Sequence, residues 1–256
     1  MLSKGSRIPG WLLAACLLPA ALLLAWLLLA RLNFLYPVWY QVLAIEEHIA
    51  LYAPQNRHGK TDFVETTPAE HRRLFAAIVQ AIQGRGEPLA DIVYRDAAGR
   101  ELGRFLQADE VGHLEDVRRL VALLTKSGTL LALAGGLLAL LIWWRQLPLP
   151  PPGRVGLALL GLLLAGGALL ALAGPQQVFD RLHEWVFPPE HPWFFYYQDS
   201  LMTTTLKAPQ IFAAIAGLWT LAGVVSYLLI YAVLRRLLPA GVPGPPKTNR
   251  KRASLG

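Results

Sequence analysis

Charge is scarce in this 256-residue chain: Asp, Glu, Lys and Arg make up 16% of it, whereas soluble domains carry about a quarter. Cysteine is scarcer still. Cys16 stands alone, which excludes an internal disulfide framework and a cysteine-built zinc site. No HExxH spacing and no GxSxG elbow occurs, so two common hydrolytic arrangements are absent. Acidic residues are missing altogether from three stretches: residues 1–10, 145–154 and 235–256.

What is present is apolar and gathered into blocks. Residues 11–30, 120–144, 155–173 and 211–234 are each long enough to cross a bilayer, for which about 20 residues suffice. Lys126 lies close to one end of its block, where its stem can snorkel. Cys16 falls inside the first block with only five apolar residues from Trp11 before it. A cleavable signal carries its apolar region ahead of the cut, so Cys16 reads as an ordinary helix residue. Gly166 and Gly167 in the third block suggest close helix contact.

The charges orient these blocks. Lys4, Arg7, Arg145, Arg154, Arg235, Arg236, Lys247, Arg250, Lys251 and Arg252 occupy the three acid-free stretches. By the positive-inside rule both tails (1–30 includes the first span; 235–256 is the last tail) and the Pro-rich turn 145–154 face the cytoplasm. All 17 acidic residues then fall in two outer segments, 31–119 and 174–210. The net charge of +7 reflects this topology and anionic inner-leaflet lipid, and calls for no nucleic acid. Tyr36, Trp39, Tyr40, Trp143, Trp144, Trp185, Trp193, Tyr196 and Tyr197 sit at span ends, as interface anchors do.

The larger outer segment has the patterning of a small domain. Residues 69–83 bring Leu74, Phe75, Ile78, Val79 and Ile82 to one helical face, with Pro68 in the first turn. Residues 89–94 and 101–106 read as strands around an Asp96-Ala97-Ala98-Gly99 turn. The second outer segment holds a short amphipathic helix through Phe179, Leu182, Val186 and Phe187, ended by Pro188-Pro189 and lying at the interface. The expected fold class is an α-helical integral membrane protein of about four transmembrane helices, with a small α/β extracytoplasmic domain in its first outer loop.

All six histidines lie in the outer segments. His48 and His58 read as surface residues. His113 immediately precedes the second span and His183 follows the third, so both belong near one membrane depth. Imidazole suits proton transfer at neutral pH. Asp116 and Asp180 each lie three residues from one of these histidines, on its face if the turns are helical. Asp199 is a further carboxylate near a span, and Ser200 beside it a weak nucleophile. A charged helix cap is the plainer reading of Glu115, Asp116, Arg118 and Arg119.

Three stretches carry a family likeness: Gly112-His113-Leu114-Glu115-Asp116-Val117-Arg118, the run from Phe179 to Pro188, and Trp193 with Asp199-Ser200-Leu201. On these the chain resembles the bacterial lipoprotein intramolecular transacylases. The resemblance implies transfer of the sn-2 acyl chain of a diacylglyceryl-cysteine to that cysteine's own α-amine. It implies diacylglyceryl-modified lipoproteins and membrane phospholipid as partners, no cofactor or metal, and a place in the bacterial cytoplasmic membrane with the site at the outer face. His113 and His183 are then the expected catalytic pair, with Asp116, Asp180 or Glu184 orienting them and Arg118 or Lys207 steadying lipid or oxyanion oxygen. The competing reading is a non-catalytic lipoprotein- or lipid-binding assembly protein. Its signature is a closed outer face, with the two histidines apart and no lipid-sized groove. A transporter is disfavoured because no charge lies at mid-span.

Overall fold

The structure is a computed structural model and describes residues 7–238. Four of its helices are long and apolar enough to cross a membrane: α1 (Ile8–Arg31), α5 (Ala108–Arg145), α6 (Pro152–Ala173) and α9 (Gln210–Leu237). Between α1 and α5 lie α2 (Tyr36–Val42), α3 (Ile45–Tyr52), α4 (Pro68–Ile82) and a hairpin of β1 (Val93–Arg95) and β2 (Glu101–Arg104). Between α6 and α9 lie α7 (Pro175–Val186) and α8 (Leu201–Leu206). The chain is a multi-span helical membrane protein with a small α/β region beside the spans.

Helix α1 is the centre of the bundle and packs on both α5 and α9. Leu13, Leu17, Ala21 and Ala25 recur on its buried face at helical spacing. Small residues on the facing helices admit it: a Cβ at Gly128 of α5 would come within 3.0 Å of Leu23, and one at Gly223 of α9 within 2.5 Å of Leu22. Trp219 Nε1 donates to the Leu22 carbonyl at 2.8 Å. Gly166 and Gly167, expected at a close contact, instead meet nothing within 4 Å. Helix α6 buries only Val155 and Leu159, so its remaining apolar surface faces lipid, the solvent it is suited to.

One end of the bundle is closed by the Pro-rich turn. Gln146 ends α5 in the left-handed region, and the Pro150 carbonyl accepts from Tyr231 Oη (2.6 Å) and Arg235 Nη1 (3.1 Å) of α9. Gly10 of α1 lies against Pro148 and Pro150. This end therefore gathers the start of α1, the α5–α6 turn and the end of α9.

The other end carries the small region, and it is packed into the bundle. Tyr36 and Tyr40 are buried, contrary to the anchoring role expected of them: Tyr36 Oη donates to the Thr205 carbonyl at 2.8 Å and its ring stacks on Phe75 at 4.2 Å. Trp143 and Trp144 at the far end of α5 do stay exposed, as rings in an interface would. Helix α4 starts where Thr67 caps the Glu70 amide (3.2 Å) ahead of Pro68. Glu70 then holds Arg73 through two 2.7 Å bonds and the Arg95 amide at 2.8 Å, joining helix to strand. The strands are shorter than expected. Leu89–Asp91 forms a single tight turn after Pro88, which buries Leu89 and leaves Val93 as the first residue paired, opposite Arg104.

Helix α5 has 38 residues and is about 57 Å long, well beyond a hydrocarbon core of about 30 Å. Its apolar part starts near residue 120, so the first turns project from the span. A capping box sets their start: Glu110 accepts from the Gln107 amide at 2.6 Å. His113 and Asp116 ride on this projecting end.

Candidate active site

His113 and His183 come together. Their ring centroids are 6.2 Å apart, one ring on the projecting end of α5 and the other on α7. Both rings sit in aromatic surroundings: Phe187 meets His113 edge-on at 4.9 Å, while Phe179 and Trp193 pack on His183 at 3.9 and 4.7 Å. The i, i+4 spacing on α7 puts Phe179 and His183 on one face, and Phe187 follows directly after the helix.

Hydrogen bonding fixes the protons. His183 Nδ1 faces the Phe179 carbonyl at 2.8 Å; a carbonyl only accepts, so Nδ1 donates and Nε2 is left for other chemistry. His113 is 8% exposed and its Nδ1 has no hydrogen-bond partner among the described residues. A buried polar nitrogen without a partner is a group awaiting one. Burial, then the neighbouring His183, pushes the His113 pKa down to about 4, against the opposing pull of Asp116. His113 is therefore a neutral imidazole at pH 7.

Both histidines line an apolar cavity of about 440 Å³ that runs between α1, α4 and α9 to Trp26 and Trp219. That volume is in the range of small-molecule sites. Two imidazoles at the edge of a long apolar cavity can move protons at the polar head of a molecule whose chain lies inside.

The other residues expected here divide. Asp116 is buried near His113 but bonds elsewhere, to Arg119 (3.1 Å) and to His191 Nδ1. Asp180 does not reach His183: it accepts from Gln176 at 2.9 Å, because the α7 carbonyl of Phe179 already takes the imidazole proton. Glu184 pairs with Arg181 (2.9 Å) and Arg118 with Glu115 (2.7 Å), each one turn away along its own helix. Asp199 faces Arg57 at 3.4 Å, and Lys207 Nζ donates to the Leu43 carbonyl at 2.6 Å. Neither cation, Arg118 or Lys207, lies among the residues lining the cavity. Ser200 is fully buried, donates to Glu110 and does not line the cavity. His48, expected at the surface, is buried between Tyr52 and Tyr197.

Sequence reasoning passed over Glu110 and His191. The Gln107-x-x-Glu110 spacing is a capping signal that could have flagged the first; nothing local marks the second. Among the described residues no group of three or more His, Cys, Asp or Glu is placed to hold a metal ion.

No curated protein matches the sequence significantly. Three solved structures of a membrane integral lipoprotein intramolecular transacylase, Lit, from Bacillus cereus share the fold. A histidine-to-arginine variant superposes with a TM-score of 0.59 at 15% identity, covering 90% of this chain and 91% of that one. A histidine-to-alanine variant gives 0.58 at 15%, covering 90% and 92%. A further structure gives 0.58 at 14%, covering 90% and 94%. The family described as "Lipoprotein intramolecular transacylase Lit" matches residues 12–206, and the chain belongs to that family.

Proposed function

We propose that this protein moves the sn-2 acyl chain of a diacylglyceryl-cysteine lipoprotein to the α-amine of the same cysteine. The unpartnered Nδ1 of a neutral, buried His113, facing His183 beside an apolar cavity, is the observation that carries the reading. The amine nitrogen attacks the ester carbonyl carbon. Its proton becomes acidic as the N–C bond forms, and neutral His113 accepts it. The C–O bond to the glyceryl sn-2 oxygen then breaks, and that oxygen takes the proton collected by His113, passed on through His183 Nε2, so both imidazoles end neutral. The products are an amide and a lyso-glyceryl hydroxyl; no atom is supplied from outside. Donor and acceptor belong to one molecule, so holding them in contact supplies much of the acceleration. The acyl chain lies in the cavity.

The basic tails and the 145–154 turn orient both termini to the cytoplasm of a bacterial cell and the histidines to the outer face. Membrane phospholipid surrounds spans at 11–30, 120–144, 155–173 and 211–234. A bonded Asp116 assists His113 electrostatically, while Asp180, Glu184, Arg118, Asp199 and Lys207 act on the surrounding scaffold.

Mass spectrometry of lipoprotein amino termini tests this in cells lacking other N-acylating activity. The expected result is N-acyl, lyso-glyceryl cysteine with the intact chain and diacylglyceryl cysteine with the His113→Ala/His183→Ala form. Unchanged diacylglyceryl cysteine in cells holding abundant folded protein overturns the reading.

A further inference from the structure

Helix α7 carries His183 yet is weakly held. None of its residues is buried, and its side-chain hydrogen bonds stay within the helix: Gln176 to Asp180, Arg181 to Glu184, His183 to the Phe179 carbonyl. The polar tie to the His113 helix comes from the loop after it. There His191 Nδ1 donates to the buried carboxylate of Asp116, one turn beyond His113 on α5. The His191 ring lies over Gly112, where a Cβ would stand 3.9 Å from its Cδ2. Two residues on, Trp193 packs against both His183 (4.7 Å) and Phe179 (5.8 Å).

We propose that Asp116 and His191 are positioning residues for the acyl transfer: their bond clasps the α7 segment to α5 through Trp193 and so fixes the separation of His113 and His183. The activity side of this inference rests on the function proposed above. A buried carboxylate is costly unless paired, and here Arg119 and His191 supply its donors. The Arg119 bond stays within α5, so of the two bonds Asp116 accepts, the one from His191 is the one that crosses to the other segment. Replacing His191 by Asn keeps a donor close to the position of Nδ1, whereas Ala removes it.

The test uses the full chain in detergent with a synthetic diacylglyceryl lipopeptide, and follows turnover alongside amide hydrogen exchange over residues 175–196. His191→Ala is expected to lower kcat about tenfold to a hundredfold, the effect of misplacing reacting groups by about 1 Å, with KM little changed. Exchange over 175–196 rises at least about tenfold, the measure of a segment released. His191→Asn restores most of both. The Asp116→Asn/His191→Ala double variant is no worse than the poorer single, because one interaction is lost in each. Wild-type exchange in His191→Ala overturns the clasp, as does raised exchange with unchanged kcat. Should His191→Ala fail to fold, His191→Asn against His191→Phe, which keeps the ring but no donor, decides: near-normal and impaired turnover support the clasp, equal turnover sinks it. A wild-type protein that leaves the lipopeptide unconverted defeats the acyl-transfer reading instead, and the exchange data still judge the clasp.

Discussion

His183 stands 6.2 Å, centroid to centroid, from His113, and its proximity helps keep His113 unprotonated. Burial is the larger cause, and Asp116 works against both. In a spectrum of histidine-labelled protein, His113 is expected to titrate near 4 where a free imidazole titrates near 6.5. His183→Ala moves that midpoint up, since it removes a like charge and admits water. Asp116→Asn moves it further down, since it removes the one charge favouring imidazolium. A His113 midpoint near 6.5 in the wild type would show that burial does not depress it, and one well above 7 would remove its claim to be the neutral base.

The same burial makes the fold sensitive to acid. His48, His71 and His113 are all pushed down to about 4, each mainly by desolvation. His71 is held by Tyr40 Oη (2.8 Å) and Thr66 Oγ1 (2.7 Å), and His48 by aromatic rings. Their unfolded values lie near 6.5, so between pH 6.5 and 4 the unfolded chain binds more protons than the folded one. The stability they allow is present above pH 6.5 and drains away as pH falls toward 4. The melting temperature in detergent is expected to fall across that window, less steeply in His71→Gln. A flat profile would show that these histidines ionise freely in the fold.

Glu110 and Ser200 join the base of α5 to the cap of α8. Ser200 Oγ donates to the Glu110 carboxylate, which is 1% exposed, and accepts from the Thr203 amide at 2.8 Å. Burial raises the Glu110 pKa, opposed by its bonds to Ser200 and the Gln107 amide. Ser200→Ala leaves that carboxyl short of a donor and removes an N-cap, a loss of about 1–3 kcal/mol. Thermal denaturation checks this. A fluorophosphonate probe checks the chemistry: no adduct is expected at Ser200, and a labelled Ser200 would return it to the list of nucleophiles.

The spans and the histidine pair were legible because hydropathy, charge bias and chain position are one-dimensional signals. Residues 69–83 read as a helix because their apolar spacing is helical, and α4 covers Pro68–Ile82. What escaped is tertiary. Asp116 at three residues from His113 looked like its partner, yet a side chain chooses among all donors in reach, and His191 arrives from far along the chain. Asp180 failed as a partner for His183 because a backbone carbonyl on the same turn was nearer. Tyr36 and Tyr40 have the composition of an interface anchor, but α2 folds back under α4 and α8, which periodicity in so short a helix does not announce.

Glycine placement gives the last test, because the small residues that matter are not those the composition favoured. At Gly128 an added Cβ would press on the Leu23 Cβ at 3.2 Å, and at Gly223 on Leu22 Cδ2 at 2.5 Å. Alanine at Gly223 meets only the end of a leucine, which can turn aside; a branched residue also approaches the Leu22 backbone. Gly128→Val and Gly223→Val are each expected to cost about 1–3 kcal/mol by overpacking. Gly166→Val, with nothing within 4 Å, is expected to stay within about 0.5 kcal/mol of wild type. Since α1 and α9 carry Trp26 and Trp219 in the cavity lining, Gly223→Val is also expected to lower turnover of long acyl chains more than short ones. Melting curves and lipopeptide assays on the three variants measure both effects. Equal destabilisation at Gly223 and Gly166 would mean that helix propensity in the bilayer, rather than the α1–α9 contact, governs these positions.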